Sequence, residues 1–563
     1  MLGLYTCKMD KLLLLLAIFI SNSLFAILTT NSDSIRGALR PERLCFDVTS
    51  YDLKVDINPL DKRISGQNDI YFTCLKESKT IQIDLFRHYQ IDDILLYASI
   101  DSSELEELIP VDFKNIQDAI FISLRTPIQL NKQYKLRVVY HGSPNIAKKA
   151  PWDGGFVWGT DSLNRYFCGV ACEGWGASSW WPCKDHLSDE PDSMKLTFTV
   201  PKGYQCISNG QLVEAKQIDD EKNIYEQYTW KVTYPINTYN VSFYLGYFER
   251  LQSWYVSGED SLKTEFYALD YNISKAKKQF EQVHPMLRIY EDLFGKYPFW
   301  KDGYKLVEAP YLGMEHQSAI AYGNQYKKGY LGYHPEGIDF DYIIIHESGH
   351  EYWGNSVSMD DIADMWIHEG FCTYSEVLFT EKMYGYDASI KYLRSQRRMK
   401  NDKPIIGEYH INQEGSSDMY CKGSWMLHTI RNYINNDSLW FATLKQFHLY
   451  FELSNTNTEE VLKWFEIKLG SDVKNLMTRY LYRADIPVLG YKKKRFLWRK
   501  RIQFKWQNEQ EDFNLPILVN GQKVVPKTSW DELRVRSFKG IRKQLDWKYA
   551  LYDIAEFGKE TED

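Results

Sequence analysis

Hydrophobic and polar residues alternate along the first half of the chain, from about residue 46 to 250. The pattern is clear in Tyr51–Ile57, Tyr134–Val138 and Lys195–Val200, where apolar side chains recur at every second position. A period of two is typical of strands with one buried and one solvated face. This half therefore predicts a β-sheet or β-sandwich domain.

The period changes to three and four residues after about residue 250. Apolar residues at helical spacing run from Phe280 to Phe294, with Ser274 as a candidate cap, Gly295 as a candidate stop and Pro285 predicting a kink or a break. The same spacing returns in Val461–Leu481, which follows a capping-box pattern at residues 456–459. The central part of the chain is therefore predicted to be helical.

Alternation returns beyond Pro487, as in Ile502–Trp506. Asn520 and Gly521 separate two short apolar runs, which is a strong signal for a two-residue hairpin. These patterns thus predict a multidomain α+β protein. Its expected parts are a leader at 1–26, a β domain at 27–250, a helical domain at 251–487 and a small β domain at 488–563.

Composition narrows the class of protein. The 563 residues are 44% hydrophobic, which suffices for ordinary cores, and the net charge is −7. That charge gives no general attraction to nucleic acid or anionic lipid, so neither is expected as a partner. The basic run from Lys492 to Arg501 could bind polyanions, but its interleaved apolar residues fit a strand with one solvated face better.

The N-terminal residues predict export. Lys8 and Lys11 precede the apolar run Leu12–Ile20, and small residues follow up to Ala26, which is the layout of a secretory signal peptide. We expect a periplasmic or extracellular protein, with an uncleaved membrane anchor as the alternative. Eight cysteines remain beyond Cys7, an even number that permits disulfides without revealing their pairing.

The stretch from His346 to His350 carries the most specific chemistry in the chain. Two histidines four residues apart share one face of a helix, here predicted over 341–355, and Glu347 stands beside them. Glu369 lies nineteen residues beyond His350, where a second helical pattern begins, and could supply a third ligand. Two imidazoles, one carboxylate and one open position make a catalytic zinc site, so one Zn²⁺ per chain is expected.

Five segments together resemble the aminopeptidase N and leukotriene hydrolase family of zinc metallopeptidases. They are Gly313–His316, His346–Asn355, Trp366–Phe371, Tyr420–Gly423, and Glu173 with the later Trp181–Asp185. The resemblance implies a saddle-like N-terminal β domain, a thermolysin-like catalytic domain and a C-terminal β-sandwich. The sequence departs from the family pattern in two places: the glycine-alanine-methionine-glutamate-asparagine signature appears here as Leu-Gly-Met-Glu-His at residues 312–316, and the usual asparagine before the third ligand is His368.

The resemblance also implies a role for each site residue. His346, His350 and Glu369 would hold zinc, Glu347 would act as the general base, and Tyr420 would stabilise the oxyanion. Glu315 and Glu173 would bind the α-amino group of the substrate, and the backbone of Gly313 and Met314 would run beside the peptide. Asn355 and Glu376 are candidates for orienting the ligands, although either could be an ordinary helix residue.

These residues predict a zinc aminopeptidase that acts on peptides with a free N-terminus. A thermolysin-type endopeptidase would use the same metal site without amine-binding carboxylates. A catalytically inactive scaffold would keep the fold but usually loses a ligand or the base, and all of them are present here. A lipid epoxide hydrolase is disfavoured because the tail beyond Pro487 is not helical. The oligomeric state cannot be read from the sequence.

Overall fold

The computed structural model describes residues 31–99, 106–219, 223–496, 499–519, 522–545 and 549–557. The predicted signal peptide at 1–26 lies outside the described residues. Within them, no helix is both long and apolar enough to cross a membrane. The eight cysteines in the described ranges all carry free thiols.

The N-terminal part consists of strands, as the alternation predicts. Two short helices come first and fifteen strands follow: α1 (Asn31–Gly37), α2 (Pro41–Leu44), β1 (Phe46–Asn58), β2 (Arg63–Cys74), β3 (Ser78–Asp84), β4 (Gln90–Ser99), β5 (Glu106–Ile109), β6 (Val111–Ile116), β7 (Ala119–Ile128), β8 (Gln133–Gly142), β9 (Gly155–Thr160), β10 (Tyr166–Ala171), β11 (Ser193–Pro201), β12 (Gln205–Ser208), β13 (Gln211–Asp219), β14 (Ile224–Val232) and β15 (Phe243–Gly246).

These strands form three sheets. The largest has the order β13-β14-β11-β1-β2-β8-β4-β5, and its β1–β11 pair is parallel while the other pairs are antiparallel. Two smaller sheets, β12-β15-β10-β9 and β3-β7-β6, complete this part. Their inward-facing residues share one hydrophobic core.

The central part begins with a mixed sheet and continues as helices. Its elements are β16 (Phe248–Ser257), β17 (Asp260–Leu269), α3 (Ile273–Phe280), α4 (Val283–Phe294), β18 (Tyr304–Glu308), β19 (Gly313–Met314), β20 (Ile320–Tyr322), α5 (Tyr342–His350), β21 (Val357–Met359), α6 (Trp366–Tyr384), α7 (Tyr386–Ser395), α8 (Met419–Ile434), α9 (Asp437–Phe451), β22 (Ser454–Thr456), α10 (Thr458–Leu469) and α11 (Ser471–Tyr482).

The mixed sheet has the order β16-β17-β18-β20-β19, which places β19 at its edge. The break expected near Pro285 is present, because α3 ends at Phe280 and α4 begins at Val283. Gly295 ends α4 as expected, whereas Asn272 rather than Ser274 is the N-terminal flanking residue of α3.

The C-terminal part is a small β unit with the elements β23 (Val488–Phe496), β24 (Arg499–Gln507), β25 (Ile517–Val519), β26 (Gln522–Val524), β27 (Asp531–Val535), α12 (Ile541–Leu545) and β28 (Asp553–Glu556). The basic run forms β23 and β24, which pair antiparallel and bury Ile502, Phe504 and Trp506 on one face. The strands β25 and β26 pair as the hairpin signal predicts. A multidomain α+β fold is thus confirmed.

Candidate zinc and peptide site

The two histidines lie on α5, one helical turn apart. Asp341 caps this helix, because its carboxylate accepts hydrogen bonds from the backbone N–H of Ile343 at 3.0 Å and of Ile344 at 3.5 Å. The prediction of a helix over 341–355 was too long, since α5 ends at His350. The chain turns away there through Gly354, whose φ of +128° favours glycine.

Glu369, on the first turn of α6, completes a triangle of ligand atoms. The Nε2 atoms of His346 and His350 are 3.2 Å apart, and Glu369 Oε2 lies 3.6 Å and 3.5 Å from them. Zn–N bonds of 2.0–2.1 Å in a tetrahedral site place ligand atoms about 3.3 Å apart, so the triangle has the size that zinc requires. Glu369 Oε2 is also buried without a hydrogen-bond partner among the described residues. These residues therefore fit Zn²⁺.

Cys372 is close to both histidines, and its Sγ lies within 4.8 Å of a ring nitrogen of each. Its thiol donates to the backbone carbonyl of His346 at 2.9 Å and lies 3.7 Å from the Nδ1 atom of that residue. Nδ1 is on the opposite side of the ring from Nε2. These contacts to Nδ1 and to the carbonyl, rather than to Nε2, favour Glu369 over this thiol as the third ligand.

The remaining ring nitrogens of both histidines are held by acceptors. His346 Nδ1 is 2.6 Å from Glu376 Oε1, and His350 Nδ1 is 2.9 Å from the backbone carbonyl of Trp353. A hydrogen bond at Nδ1 keeps the lone pair on Nε2 for the metal and fixes the orientation of the ring. The sequence left the role of Glu376 open, and the structure places it as a support of His346.

Glu347 lies beside the ligands and against an edge strand. Burial raises the pKa of this carboxyl to about 7, an effect that the neighbouring His346 and His350 oppose. A Cβ atom built on Gly313 would lie 2.5 Å from Glu347 Oε1, so a larger residue here would have to displace the carboxylate. Gly313 and Met314 form the edge strand β19, whose free side is available to an extended peptide.

Tyr420 reaches the site from the first turn of α8. Its hydroxyl donates a hydrogen bond to Glu369 Oε1 at 2.7 Å, and its ring stacks beside the imidazole of His346 at a centroid distance of 6.3 Å. Burial raises the pKa of this hydroxyl well above its usual value, so it keeps its proton at neutral pH. Tyr420 is thus placed as a hydrogen-bond donor next to the ligand triangle.

Glu315 and Glu173 supply two carboxylates next to the triangle. Glu315 is buried and accepts a hydrogen bond from the hydroxyl of Tyr239 at 3.2 Å. Burial raises the pKa of Glu173 well above its usual value, and the charges of Glu315 and Glu369 raise it further. Glu173 Oε1 is buried without a partner in the described part of the chain. Both carboxylates therefore lie where a cationic group would stabilise them.

Tyr239 and Asn240 belong to the site, although the sequence did not single them out. Asn240 donates to Asn355 Oδ1 at 2.8 Å and accepts from the backbone N–H of Gln317 at 3.1 Å. Asn355 in turn donates to the backbone carbonyl of Glu315 at 2.7 Å. Neither Tyr239 nor Asn240 is part of a recognisable motif, so only their position in the fold reveals their role.

Comparison with known proteins agrees with this geometry. The family model "Peptidase M1 N-terminal domain" matches residues 48–240, and the model "Peptidase family M1 domain" matches residues 278–480. The chain belongs to the M1 peptidase family. The resemblance expected from five sequence segments is thereby confirmed, and both matched ranges contribute residues to the site.

Individual M1 relatives are similar at low identity. Aminopeptidase M1-D of Oryza sativa subsp. japonica is 24% identical over 335 residues, which cover 56% of this chain and 37% of the relative. Endoplasmic reticulum aminopeptidase 1 of Homo sapiens is 24% identical over 442 residues, which cover 73% of this chain and 44% of the relative. The chain thus spans less than half the length of these two relatives.

Among solved structures, the M1 zinc metallopeptidase from Deinococcus radiodurans aligns with a TM-score of 0.63 and 19% sequence identity. The alignment covers 78% of this chain and 94% of the Deinococcus chain. At this identity the likeness shows a shared fold.

His316 and His368, which stand where the M1 pattern has asparagine, are buried and neutral. His316 Nδ1 donates to the hydroxyl oxygen of Tyr244 at 2.6 Å, since that hydroxyl itself donates to a backbone carbonyl, while His368 Nε2 accepts the backbone N–H of Met359 at 3.1 Å. Burial lowers the pKa of each imidazole to about 3, so neither adds a charge beside the metal site. Both substitutions therefore leave the ligands and the base in place.

Proposed function

We propose that the protein is a zinc-dependent aminopeptidase that removes N-terminal residues from peptides. The observation that carries this proposal is the position of two carboxylates, the buried Glu315 and the half-buried Glu173, next to a zinc-sized triangle of ligands. A protonated α-amino group would compensate both carboxylates and fix the substrate at its N-terminus. Only the first peptide bond would then lie over the metal.

Bound zinc would polarise the scissile carbonyl and an attacking water. Glu347 lies beside the ligands and is placed to take a proton from that water and to pass it to the departing amine. Tyr420 would donate a hydrogen bond to the carbonyl oxygen as negative charge develops on it. The free edge of β19 would pair with the substrate backbone and align the first bond.

The relatives support the same class of substrate. The names of the rice and human relatives describe aminopeptidases, and a variant of the Deinococcus metallopeptidase has been solved with a Tyr-Ser-Ala substrate. The endopeptidase alternative gives no role to the two carboxylates of Glu315 and Glu173. The inactive-scaffold alternative is disfavoured because His346, His350 and Glu369 form a complete triangle with Glu347 and Tyr420 beside it.

We further propose that the enzyme acts outside the cytoplasm. The support is the order of charged, apolar and small residues up to Ala26, which is typical of a signal peptide. N-terminal sequencing of the protein secreted by its host would locate the cleavage site, and a mature chain that still begins at Met1 would contradict cleavage.

The test compares paired peptides that have a free or an acetylated N-terminus. The zinc enzyme should release the first residue from free peptides only, because acetylation removes the charge that Glu315 and Glu173 bind. Glu315→Gln should raise KM and lower kcat/KM by roughly 10- to 1,000-fold, through the loss of a buried charge pair. Equal hydrolysis of both peptides would contradict the amine-binding role and favour an endopeptidase.

A second experiment tests the role of Glu347 as the general base. Glu347→Gln keeps the shape of the side chain but cannot accept a proton, so kcat should fall by at least about 100-fold. Metal analysis should still find one zinc per chain, because Glu347 is not a ligand. Activity that survives this substitution would contradict the proposed mechanism.

A further inference from the structure

The short helix α1 lies against the turn that carries Glu173. This turn, at residues 172–176, is closed by two backbone hydrogen bonds to the carbonyl of Cys172, at 3.1 Å and 2.6 Å. Arg36 of α1 lines the same small cleft as Glu173. The match to the M1 family begins at residue 48, so the family pattern gives no role to α1.

Arg36 connects α1 to this turn through its guanidinium. The residue is buried, donates a hydrogen bond to the backbone carbonyl of Trp175 and lies 3.4 Å from Asp185 Oδ2. Asp185 in turn accepts hydrogen bonds from the backbone N–H of Ala177 at 3.2 Å and of Ser178 at 3.0 Å. The guanidinium therefore fixes the end of the turn and, through Asp185, the residues that follow it.

The helix α1 is also packed tightly against a loop of the helical part that lines the same cleft. In this loop the backbone N–H of Asn412 donates to the carbonyl of Asp33 at 3.2 Å. A Cβ atom built on Gly37 would lie 2.4 Å from Asn412 N and 2.5 Å from the carbonyl carbon of Ile411, so a larger residue would push α1 and the loop apart. The helix thus bridges this loop and the turn of Glu173.

Glu173 needs support from its turn because like charges act on its carboxylate. Burial is the largest cause of the raised pKa of Glu173, and the charges of Glu315 and Glu369 raise it further. When Glu173 is ionised, the same charges repel it from the ligand triangle. Its Oε1 atom has no hydrogen-bond partner in the described part of the chain, so this oxygen does not anchor the side chain. The position of the carboxylate therefore depends on the backbone of the turn.

We infer that Arg36 is a positioning residue, which holds the turn of Glu173 where this carboxylate meets the α-amino group of the substrate. The inference rests on the proposed aminopeptidase function, because that function supplies the amine. Arg36 acts through the backbone of the turn and not on the reacting atoms. Its loss should therefore weaken the binding of the amine and leave zinc binding and the base Glu347 unchanged.

The first experiment separates amine binding from general damage to the cleft. Arg36→Met keeps the apolar part of the side chain and removes the donors. In the Glu347→Gln zinc protein, which should bind without turnover, calorimetry compares L-phenylalaninamide with phenylpropanamide, which lacks the amine. Arg36→Met should reduce the preference for the amine-bearing ligand by at least about tenfold. An unchanged preference, including an equal loss of affinity for both ligands, would overturn the inference.

The second experiment measures turnover by the zinc enzyme. Arg36→Met should raise KM for peptides with a free N-terminus by about tenfold and change kcat by less than about threefold, because the reacting groups are untouched. Arg36→Lys keeps a cationic donor and should recover part of the loss. Gly37→Ala, which pushes α1 away from its loop without removing Arg36, should shift KM in the same direction. An unchanged KM in both Arg36→Met and Gly37→Ala would overturn the inference.

Arg137→Met is the matched control. Arg137 on β8 forms a two-point ion pair with Asp69 on β2, at 2.7 Å and 2.6 Å, and is not among the described residues that line the cleft. Its loss should lower the melting temperature but keep both KM and the preference for the amine-bearing ligand. An equal rise of KM in this control would overturn the inference, because the loss of any such arginine would then have the same effect.

Failure of the proposed function gives a different result. A preference for the amine-bearing ligand that is lost in Arg36→Met, without hydrolysis of peptides by the unsubstituted enzyme, would support the role of Arg36 and contradict the peptidase. Hydrolysis of free-amine peptides with the same KM in the unsubstituted enzyme and in Arg36→Met would support the peptidase and contradict the role of Arg36.

Discussion

Glu347 and Gly313 are in contact across the gap between α5 and the edge strand β19. A side chain at position 313 would enter the space of the carboxylate, and a Cβ atom would also lie 2.9 Å from Ile343 Cγ2. The close fit at Gly313 therefore comes from the carboxylate of Glu347 and from Ile343 rather than from an unusual backbone angle. The same close approach leaves the strand edge open to a substrate.

We expect Gly313→Ala to lower kcat by about 10- to 100-fold, because displacement of a catalytic group by about 1 Å costs that much. Zinc content and the circular dichroism spectrum should not change, since the ligands are elsewhere. Peptide turnover with metal analysis on the same sample checks this. A fully active variant would show that Glu347 is not confined by the strand.

Glu376 supports His346 from behind and is itself fixed by Tyr392 at 2.5 Å and Gln396 at 2.7 Å. We expect Glu376→Gln to weaken zinc binding by about 10- to 100-fold, because the neutral amide is a poorer partner for the ligand imidazole. Competition with a chelator measures the affinity. The conservative Glu376→Asp variant, which keeps the charge, should lose less.

At the scale of elements, a buried ion pair attaches the short helix α2 to the first sheets. Arg43 on α2 and Asp84 at the end of β3 form a salt bridge whose two side chains are fully buried. Burial raises the pKa of Asp84, and the charge of Arg43 opposes that rise. Gln82 and the backbone N–H of Asp185 also donate hydrogen bonds to Asp84, at 3.0 Å and 3.2 Å, but Arg43 is the charged group paired with it.

We expect Arg43→Met to destabilise the protein by about 3–5 kcal/mol, because Asp84 is left buried and uncompensated. Urea unfolding followed by tryptophan fluorescence measures the change. The double variant Arg43→Met with Asp84→Leu should recover part of the loss. A single variant that loses less than about 1 kcal/mol would show that solvent reaches Asp84.

The whole molecule assembles the site from two cores. The N-terminal strands and their connections supply Glu173, Tyr239 and Asn240, while the helices supply the zinc ligands. Val307 and Tyr311, from the mixed sheet, are buried in the core of the N-terminal part. This shared core joins the first two parts of the chain. The domain boundaries near 250 and 487 stay predictions.

The contact between these parts also predicts a pH dependence of stability. Burial raises the pKa of Glu190 from 4.5 to about 8, aided by Asp189 and Asp360 and opposed by a hydrogen bond with Ser358. Between these pH values the folded protein keeps a proton that the unfolded chain releases. Stability from this group is therefore full below pH 4.5 and falls as pH rises towards 8.

Melting temperatures measured from pH 5 to 9 should fall more steeply for the unsubstituted protein than for Glu190→Gln, whose amide has no proton to lose. The two curves should differ most above the folded pKa, where the variant is the more stable. Parallel curves would show that Glu190 is solvated in the folded protein.

The sequence by itself determined the fold class and indicated the candidate zinc ligands and the candidate base. Residues four apart on one helix face, and strands with a period of two, are local patterns that need no knowledge of distant contacts. The helix predicted from the sequence ran to residue 355, whereas α5 ends at His350. The turn at Gly354 depends on the packing of the following segment, which the local pattern does not show.

Only the tertiary structure decided which distant residues meet the site. Tyr239 and Asn240 are separated from His346 by about a hundred residues, and the cleft beside Glu173 collects residues from several segments. Such partners are chosen by packing between layers, which leaves no periodic or motif signal in the chain. Local sequence patterns therefore identify the chemical groups of the site. The set of residues that surrounds those groups depends on the assembled fold.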